Sequence, residues 1–514
     1  MARTRVADAL TPHLALQRDG GPAMHRQLYS TFRSAILDGV FAPGTRLPST
    51  RALADDLGVS RTTVLQAFER LVSEGYATAR SGAGTRVATS LDTSAHRRST
   101  MRVEGRTPRA PDRPPRLSRA ATAMLDEFNV SRPAHRMVPF ALGYPALDEF
   151  PVALWARIVG RLWRTRATEI LSFTDSRGYP PLCEAIAQYV STARGVRCTA
   201  QQVIVTNGGQ HGIDVMLRVL LDPGDVAWVE QPGYRPVRAS IRAVGAQIVR
   251  VPVDEHGLDV REGERRAPRA RLAFITPSYQ APLGVALSLE RRLALLDWAA
   301  RADAWVLEDD YNGEYRYDTD PIPAVQALDR AGRVIYIGTF SKTLAPGFRI
   351  GYLVVPPSLV DAVTRARLAS DMHTSVEVQA ALAEFISAGH FARHIRRTRE
   401  LYRKRQHDLL ELAPRIMGSL LEVRPAPAGM RLLGLLPRGV DAAAVSWAAS
   451  ERGVLVTPLS RAAPASITDG REGLLLGYAA YDRAATEAAL RVLARVVSEQ
   501  MQPPKGERVA GLRR

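Results

Sequence analysis

Lysine is almost missing from this chain. Of 69 basic residues in 514, three are lysine, namely Lys342, Lys404 and Lys505; arginine supplies the rest. That scarcity excludes lysine as the general surface cation. Each remaining lysine therefore raises the question of what arginine could not do in its place. Arginine stays protonated in proteins and cannot form an imine, whereas a desolvated lysine can. Cysteine is also scarce. Cys183 and Cys198 have no metal-ligand spacing and no disulfide framework, so both read as ordinary buried thiols, with no metal site expected. No apolar run reaches the roughly 18 residues of a membrane span, and no early run has signal-peptide length. The expectation is a cytoplasmic protein without a membrane partner. Acidic residues are few, 52 against 69 basic, for a formal net charge of +17. Hydrophobic content of 46% and charged content of 24% are ordinary for a globular protein. The length exceeds one core and suggests two or three domains.

The positive charge is uneven. Residues 1–136 hold 21 arginines against 12 acidic residues, which suits a polyanionic partner. Residues 24–88 read as three helices and a hairpin. Leu28, Phe32, Ile36 and Leu37 recur at helical spacing until Gly39 and Pro43-Gly44 end the pattern. A short helix, Arg51 to Leu57, turns at Gly58 into a second, Arg61 to Glu74, which Ser60 can cap. Two helices across a tight turn form a helix-turn-helix. Val64, Ala67, Phe68 and Leu71 make the buried stripe of the second helix, leaving Arg61, Thr62, Thr63 and Gln66 to face a major groove. Tyr76–Arg80 and Thr85–Ala88 flank Ser81-Gly82-Ala83-Gly84 as a wing. The motifs L-P-S-T-R-A-L-A-D-D-L-G-V-S-R-T-T-V, E-R-L-V-S-E-G-Y and G-A-G-T-R-V resemble the GntR-type DNA-binding domain. The resemblance implies a domain over residues 20–88. It also implies contacts to double-stranded DNA from Arg46, Ser49, Arg51, Arg61, Thr62, Thr63 and Arg86.

Residues 89–136 are rich in Arg, Pro, Ser and Thr. The stretch Arg106 to Arg116 cannot build a core, so an extended or disordered tether is expected.

From residue 137 to about 500 short apolar runs alternate with helical segments. The runs are 203–206, 226–229, 272–275, 304–307, 334–337 and 351–355. That order predicts an α/β domain with a mostly parallel sheet covered on both faces, and ligands at the strands' carboxyl ends. The suspicious residues fall there. Gly208-Gly209-Gln210, between a strand and a helix N-terminus, suits an anion, although a tight turn explains the glycines equally well. Tyr234 can stack on a planar ring or belong to the core. Asp309 can meet a cationic nitrogen or serve as a cap or ion-pair partner. Lys342 follows a buried strand, among hydroxyls, seven residues before Arg349.

Several motifs together resemble the fold-type I pyridoxal-phosphate (PLP) aminotransferases. They are G-Y-P-A-L-D-E-F-P at 143–151, Arg177-Gly178-Tyr179, T-P-S-Y-Q-A-P-L-G at 276–284, E-D-D-Y at 308–311 and G-T-F-S-K-T-L-A-P-G-F-R at 338–349. The resemblance implies PLP held as an internal aldimine on Lys342. Asp309 would face the pyridine nitrogen, Tyr311 the ring hydroxyl and Tyr234 the ring face. Gly208, Gly209, Gln210, Thr339 and Arg349 would hold the phosphate. The whole layout resembles the MocR-type transcription regulators, which implies a head-to-tail homodimer that senses PLP, or an amine or amino acid reacting with it.

Two departures bear on activity. Ala281 stands where aminotransferases write an Asn, and Leu475 where they write an Arg that forks onto the substrate carboxylate. Arg235 and Arg431 are candidate replacements. The departures tilt the expectation away from turnover. They favour a PLP-responsive regulator, with PdxR-type control of vitamin B6 synthesis as one form. The alternative is an active aminotransferase with a DNA-binding appendage.

Overall fold

In a computed structural model the chain is described over residues 21–80, 84–90, 116–127, 137–317, 322–459 and 463–501. It divides in sequence into two compact units, 1–116 and 117–514.

Among the described residues the first unit holds three helices, Met24–Leu37, Thr50–Leu57 and Arg61–Ser73, followed by the antiparallel pair β1 (Ala77–Arg80) and β2 (Gly84–Val87). Leu28, Phe32, Ile36, Leu53, Val64, Phe68 and Leu71 form its core. Phe32 and Phe68 meet edge to face at 5.2 Å. Both short helices begin on a serine whose Oγ accepts a backbone N–H: Ser49 from Ala52 at 3.2 Å, Ser60 from Thr63 at 3.1 Å. Gly58, at φ +61°, closes the turn between them in the left-handed region that glycine adopts without strain.

Within 89–136, which composition marks as a linker with its extended or disordered stretch at 106–116, Arg119–Leu125 is a helix capped by Ser118. It lies against the helix Arg235–Ala243. Glu127 just beyond it reaches Arg238 and Arg242, each at 3.0 Å. Composition hid this helix, because a short alanine-rich run among arginines has no periodic stripe. Of the expected tether Arg106 to Arg116, all but the last residue lies outside the described residues.

The large sheet contains β3 (Val203–Thr206), β4 (Val226–Gln231), β5 (Gln247–Asp254), β6 (Gly257–Leu258), β7 (Leu272–Ile275), β8 (Trp305–Asp309), β9 (Val334–Thr339) and β10 (Gly351–Val354). Their order is β3-β10-β9-β8-β7-β4-β5-β6. β5, β4, β7, β8 and β9 run parallel, while β10 is antiparallel to both neighbours. Successive strand residues serve opposite layers. Trp228, Ala273, Val306 and Val334 join one apolar cluster; Val229, Phe274, Leu307 and Ile335 join another. β5 and β6 were not foreseen. β5 contains Arg250 and Pro252 and is half-exposed, so it lacks the continuous apolar run of a central strand.

A second sheet, entirely antiparallel, has the order β11-β12-β14-β13: β11 (Glu422–Arg424), β12 (Arg431–Leu435), β13 (Thr457–Pro458) and β14 (Gly473–Gly477). The helices His390–Met417 and Arg483–Met501 touch each other beside it.

Candidate functional site

Strand register gathers the candidate residues. Asp309 pairs with Ile337 at the end of β8, two residues before Thr339 ends β9. Gly351, at the start of β10, faces Thr339 on one side and Thr206 on the other. The segments 207–210 and 340–349 therefore leave the sheet at one edge, beside Asp309. A Cβ on Gly351 would lie 2.6 Å from the Gly208 carbonyl carbon, so this close crossing needs glycine.

Lys342 is half-buried, and its Nζ donates to the Gly143 carbonyl at 3.0 Å. Burial, then the positive charge of Arg431, pulls its ammonium down to about 8. Gly143 has φ +84°, and a Cβ there would lie 2.5 Å from Nζ. Asp309 is buried and forms no hydrogen bond or ion pair among the described residues. Burial, then the neighbouring carboxylates Asp310 and Glu230, raises its carboxyl to about 7.

Asp310 turns the other way, as strand alternation requires. Its Oδ2 accepts from Arg194 Nε at 2.7 Å and from the Tyr336 hydroxyl at 2.9 Å. One of the adjacent acids is thus paired inside the core, and the other has no partner among the described residues. A cationic ring nitrogen fits Asp309; water alone would leave the buried carboxyl a costly group.

The turn after β3 forms a cup. Gly208 has φ +88°, and a Cβ there would sit 3.2 Å from Arg349 Nη2. Arg349 donates from that nitrogen to the Asn207 carbonyl at 3.0 Å, and its own backbone is left-handed at φ +53°. Such a conformation is strained for a residue with a Cβ and is held here by its surroundings. Gly209 and Gln210 begin the helix Gly209–Leu220, whose first N–H groups lack intrahelical partners. Gln210 Nε2 donates to Ser240 Oγ at 3.1 Å, while its buried Oε1 has no partner. Thr339 Oγ1 accepts from the Ser341 amide at 3.2 Å. Free N–H groups, a hydroxyl and a guanidinium converge as a phosphate requires.

Tyr234 stacks on Phe274, with centroids 6.3 Å apart and an interplanar angle of 24°. Burial, then the Asp309 charge, raises its phenol. Tyr311 donates its hydroxyl hydrogen to the Tyr279 carbonyl at 2.8 Å and accepts from Arg431 Nη2 at 2.9 Å. Leu475 lies on β14 opposite Leu433 of β12. Sequence reasoning missed the Gly143 carbonyl as the Lys342 acceptor, although Gly143 stands in a recognised motif. It also missed Glu230, buried and held by the Thr276 hydroxyl and the Gln280 amide; an acid inside an apolar strand run was the available signal.

In the first unit Arg46, Ser49, Arg51, Arg61, Thr62 and Arg86 are exposed. Arg46 and Arg86 face each other across an isolated bridge at the base of the wing. Ser49 is engaged in capping, and the half-buried Thr63 shares a 2.8 Å hydrogen bond with Ser60. Residues 81–83 at the wing tip lie outside the described residues.

Residues 24–87 match the family "Bacterial regulatory proteins, gntR family", and residues 135–471 match "Aminotransferase class I and II". The "Probable rhizopine catabolism regulatory protein MocR" of Rhizobium meliloti is 42% identical over 91% of this chain and 92% of its own length. The "HTH-type pyridoxine biosynthesis transcriptional regulator PdxR" of Corynebacterium glutamicum is 29% identical over 91% and 95%. Among solved structures, the Pyrococcus horikoshii kynurenine aminotransferase in complex with PMP superposes with a TM-score of 0.64. It is 29% identical and covers 72% of this chain and 93% of its own. The two matched domains in one chain, and the near full-length likeness to such regulators, place this protein in the MocR-type family of transcription regulators, a GntR-type DNA-binding domain joined to an aminotransferase-like domain.

Proposed function

We propose that this regulator responds to PLP held at Lys342. The observation that carries the reading is Asp309, a buried carboxyl without a partner in the same site as a lysine brought down to about 8. PLP supplies an aldehyde that condenses with an uncharged amine. Lys342 provides that amine, Asp309 faces the ring nitrogen and Tyr234 the ring. Tyr311 stands at the ring hydroxyl. Gly208, Gly209, Gln210, Thr339 and Arg349 hold the phosphate. The residues proposed to meet DNA are Arg46, Ser49, Arg51, Arg61, Thr62, Thr63 and Arg86. Two chains, paired head to tail, would present two heads to two half-sites. The ligand acts by binding one arrangement of that pair more tightly than another. The effector is PLP itself or an amine or amino acid reacting with it, and the cytoplasm is where such a regulator would act.

The experiment is a PLP titration of the full chain followed by visible absorbance, with binding to its own upstream DNA measured with and without PLP. Wild type acquires a band that Lys342→Ala lacks, and DNA affinity changes with PLP only in wild type. A band that persists in Lys342→Ala sinks the site. A turnover reading, with the domain as a working aminotransferase, is weakened by Leu475. It would be restored by sustained transamination of ordinary amino acids.

A further inference from the structure

The helix Arg235–Ala243 is engaged on two opposite faces. Tyr234, read above as facing the ring, is its N-cap. Ser240 Oγ accepts from Gln210 Nε2 at 3.1 Å, and Gln210 belongs to the cup at the end of β3. Val237 and Ile241 anchor the helix in an apolar cluster of the large sheet. Arg238 and Arg242, four residues apart, share the other face, because Ser240 lies two positions from each and so points away from both. On that face sits the linker helix Arg119–Leu125. Glu127 reaches Arg238 Nη2 and Arg242 Nε, each at 3.0 Å. One short helix therefore adjoins both the Lys342 site and the segment that precedes the large domain.

The linker helix is thinly held. None of its residues is fully buried. A cavity of about 510 Å³, lined by Ala120, Ala123, Arg242 and Val244 among others, remains beside it. Charge supplies what apolar contact does not. Burial disfavours the Arg238 cation, Glu127 favours it, and Arg250, Arg235 and Arg242 disfavour it further. Among the described residues Glu127 is the only acid paired with any of these four arginines, and its side chain is 9% exposed. An element with little buried surface, fastened at one ionic contact, opens at low cost. That makes it responsive to small changes in the helix beneath it.

We propose that the helix Arg235–Ala243 couples the PLP site to the linker, and that Glu127 is the positioning residue through which the linker takes part. With the site filled, Gln210 and Tyr234 are restrained, and with them the turns that carry Arg238 and Arg242. Glu127 then meets arginines already ordered, and the linker helix docks more tightly. The coupling is reciprocal, so the docked linker tightens PLP in turn. This rests on the reading of Lys342 as the PLP site and deepens it by naming how occupancy of that site reaches the linker.

The test uses the full chain and two measurements. Hydrogen exchange with and without PLP compares residues 119–125 with the helix Arg483–Met501 as control. In wild type PLP is expected to slow exchange across 119–125 by about fivefold, the low end of coupling between linked sites, and to change the control less. Titration of the visible band gives PLP affinity. Glu127→Gln should still form the band but bind PLP about fivefold more weakly, and Glu127→Asp should recover part of the loss. Ser240→Ala cuts the connection on the cup side and should shrink the PLP-dependent slowing. Equal slowing of both segments in wild type is general stabilisation by a ligand and overturns the proposal without any variant. Wild-type PLP affinity in Glu127→Gln also overturns it, since the ion pair is then a fastening and nothing more. Full slowing in Ser240→Ala removes this helix from the route. If wild type forms no PLP band at all, the Lys342 reading itself has failed, an outcome distinct from these.

Discussion

At the scale of the residue, the site depends on which protonation states burial permits. Lys342 is disfavoured as an ammonium, so its neutral fraction grows as pH rises toward about 8. The rate of PLP uptake should therefore climb about tenfold per pH unit below that point and level off above it, as stopped-flow absorbance would record. Asp309 favours the ammonium, so Asp309→Asn should move the curve to lower pH while weakening PLP retention. A curve that does not move would separate the two groups. Gly143→Ala tests the steric side. Its Cβ would meet Nζ at 2.5 Å from a backbone at φ +84°, so PLP uptake should fall by at least an order of magnitude while the far-ultraviolet circular dichroism is kept. Much of this was legible from composition. One lysine after a buried strand, in an arginine-rich chain, was a strong pointer. The division of labour between Asp309 and Asp310 was not. It depends on Arg194, which is 116 residues away in sequence from Asp310, and no local pattern records such a distant partner.

At the scale of the element, the helix-turn-helix was readable because its signals are local: serine caps, a left-handed glycine and a helical apolar stripe. Ser60→Ala removes the hydroxyl that accepts from Thr63 N and bonds Thr63 Oγ1. It should cost about 1 kcal/mol. For a unit of this size that is a melting shift of about 4–8 °C, measurable on the isolated transition if the units melt separately. The central strands of the large sheet were readable for the same kind of reason, as short uninterrupted apolar runs. β5 and the small antiparallel sheet escaped because their strands are short, half-exposed or broken by Arg, Pro and Gly. The helix Arg119–Leu125 escaped because its docking comes from Glu127 on Arg238 and Arg242, a tertiary contact. Glu127→Ala should raise hydrogen exchange across residues 119–125 and leave the large sheet protected. Unchanged exchange would show that apolar contact alone holds the helix.

At the scale of the whole molecule, the positive charge toward the amino-terminal end sets how DNA binding responds to salt. Arg46 and Arg86 adjoin across a backbone bridge and are exposed, so each can neutralise a phosphate. The logarithm of affinity should fall linearly with the logarithm of salt concentration. Arg86→Ala should reduce that slope by about 1. An unchanged slope would remove Arg86 from the phosphate contacts. No helix among the described residues is long and apolar enough to cross a membrane, in keeping with the absence of long apolar runs in the sequence.

Docking of Arg119–Leu125 beside Arg235–Ala243 also fixes a length. The chain leaving the amino-terminal head meets its mooring near residue 117, about twenty residues earlier than the compositional boundary at 136. At roughly 3.5 Å per residue that removes on the order of 70 Å of contour from the leash. In the proposed pair of chains, fewer residues between head and mooring would raise the local concentration of one head at the operator half taken by the other and would narrow the range of half-site separations the pair can straddle.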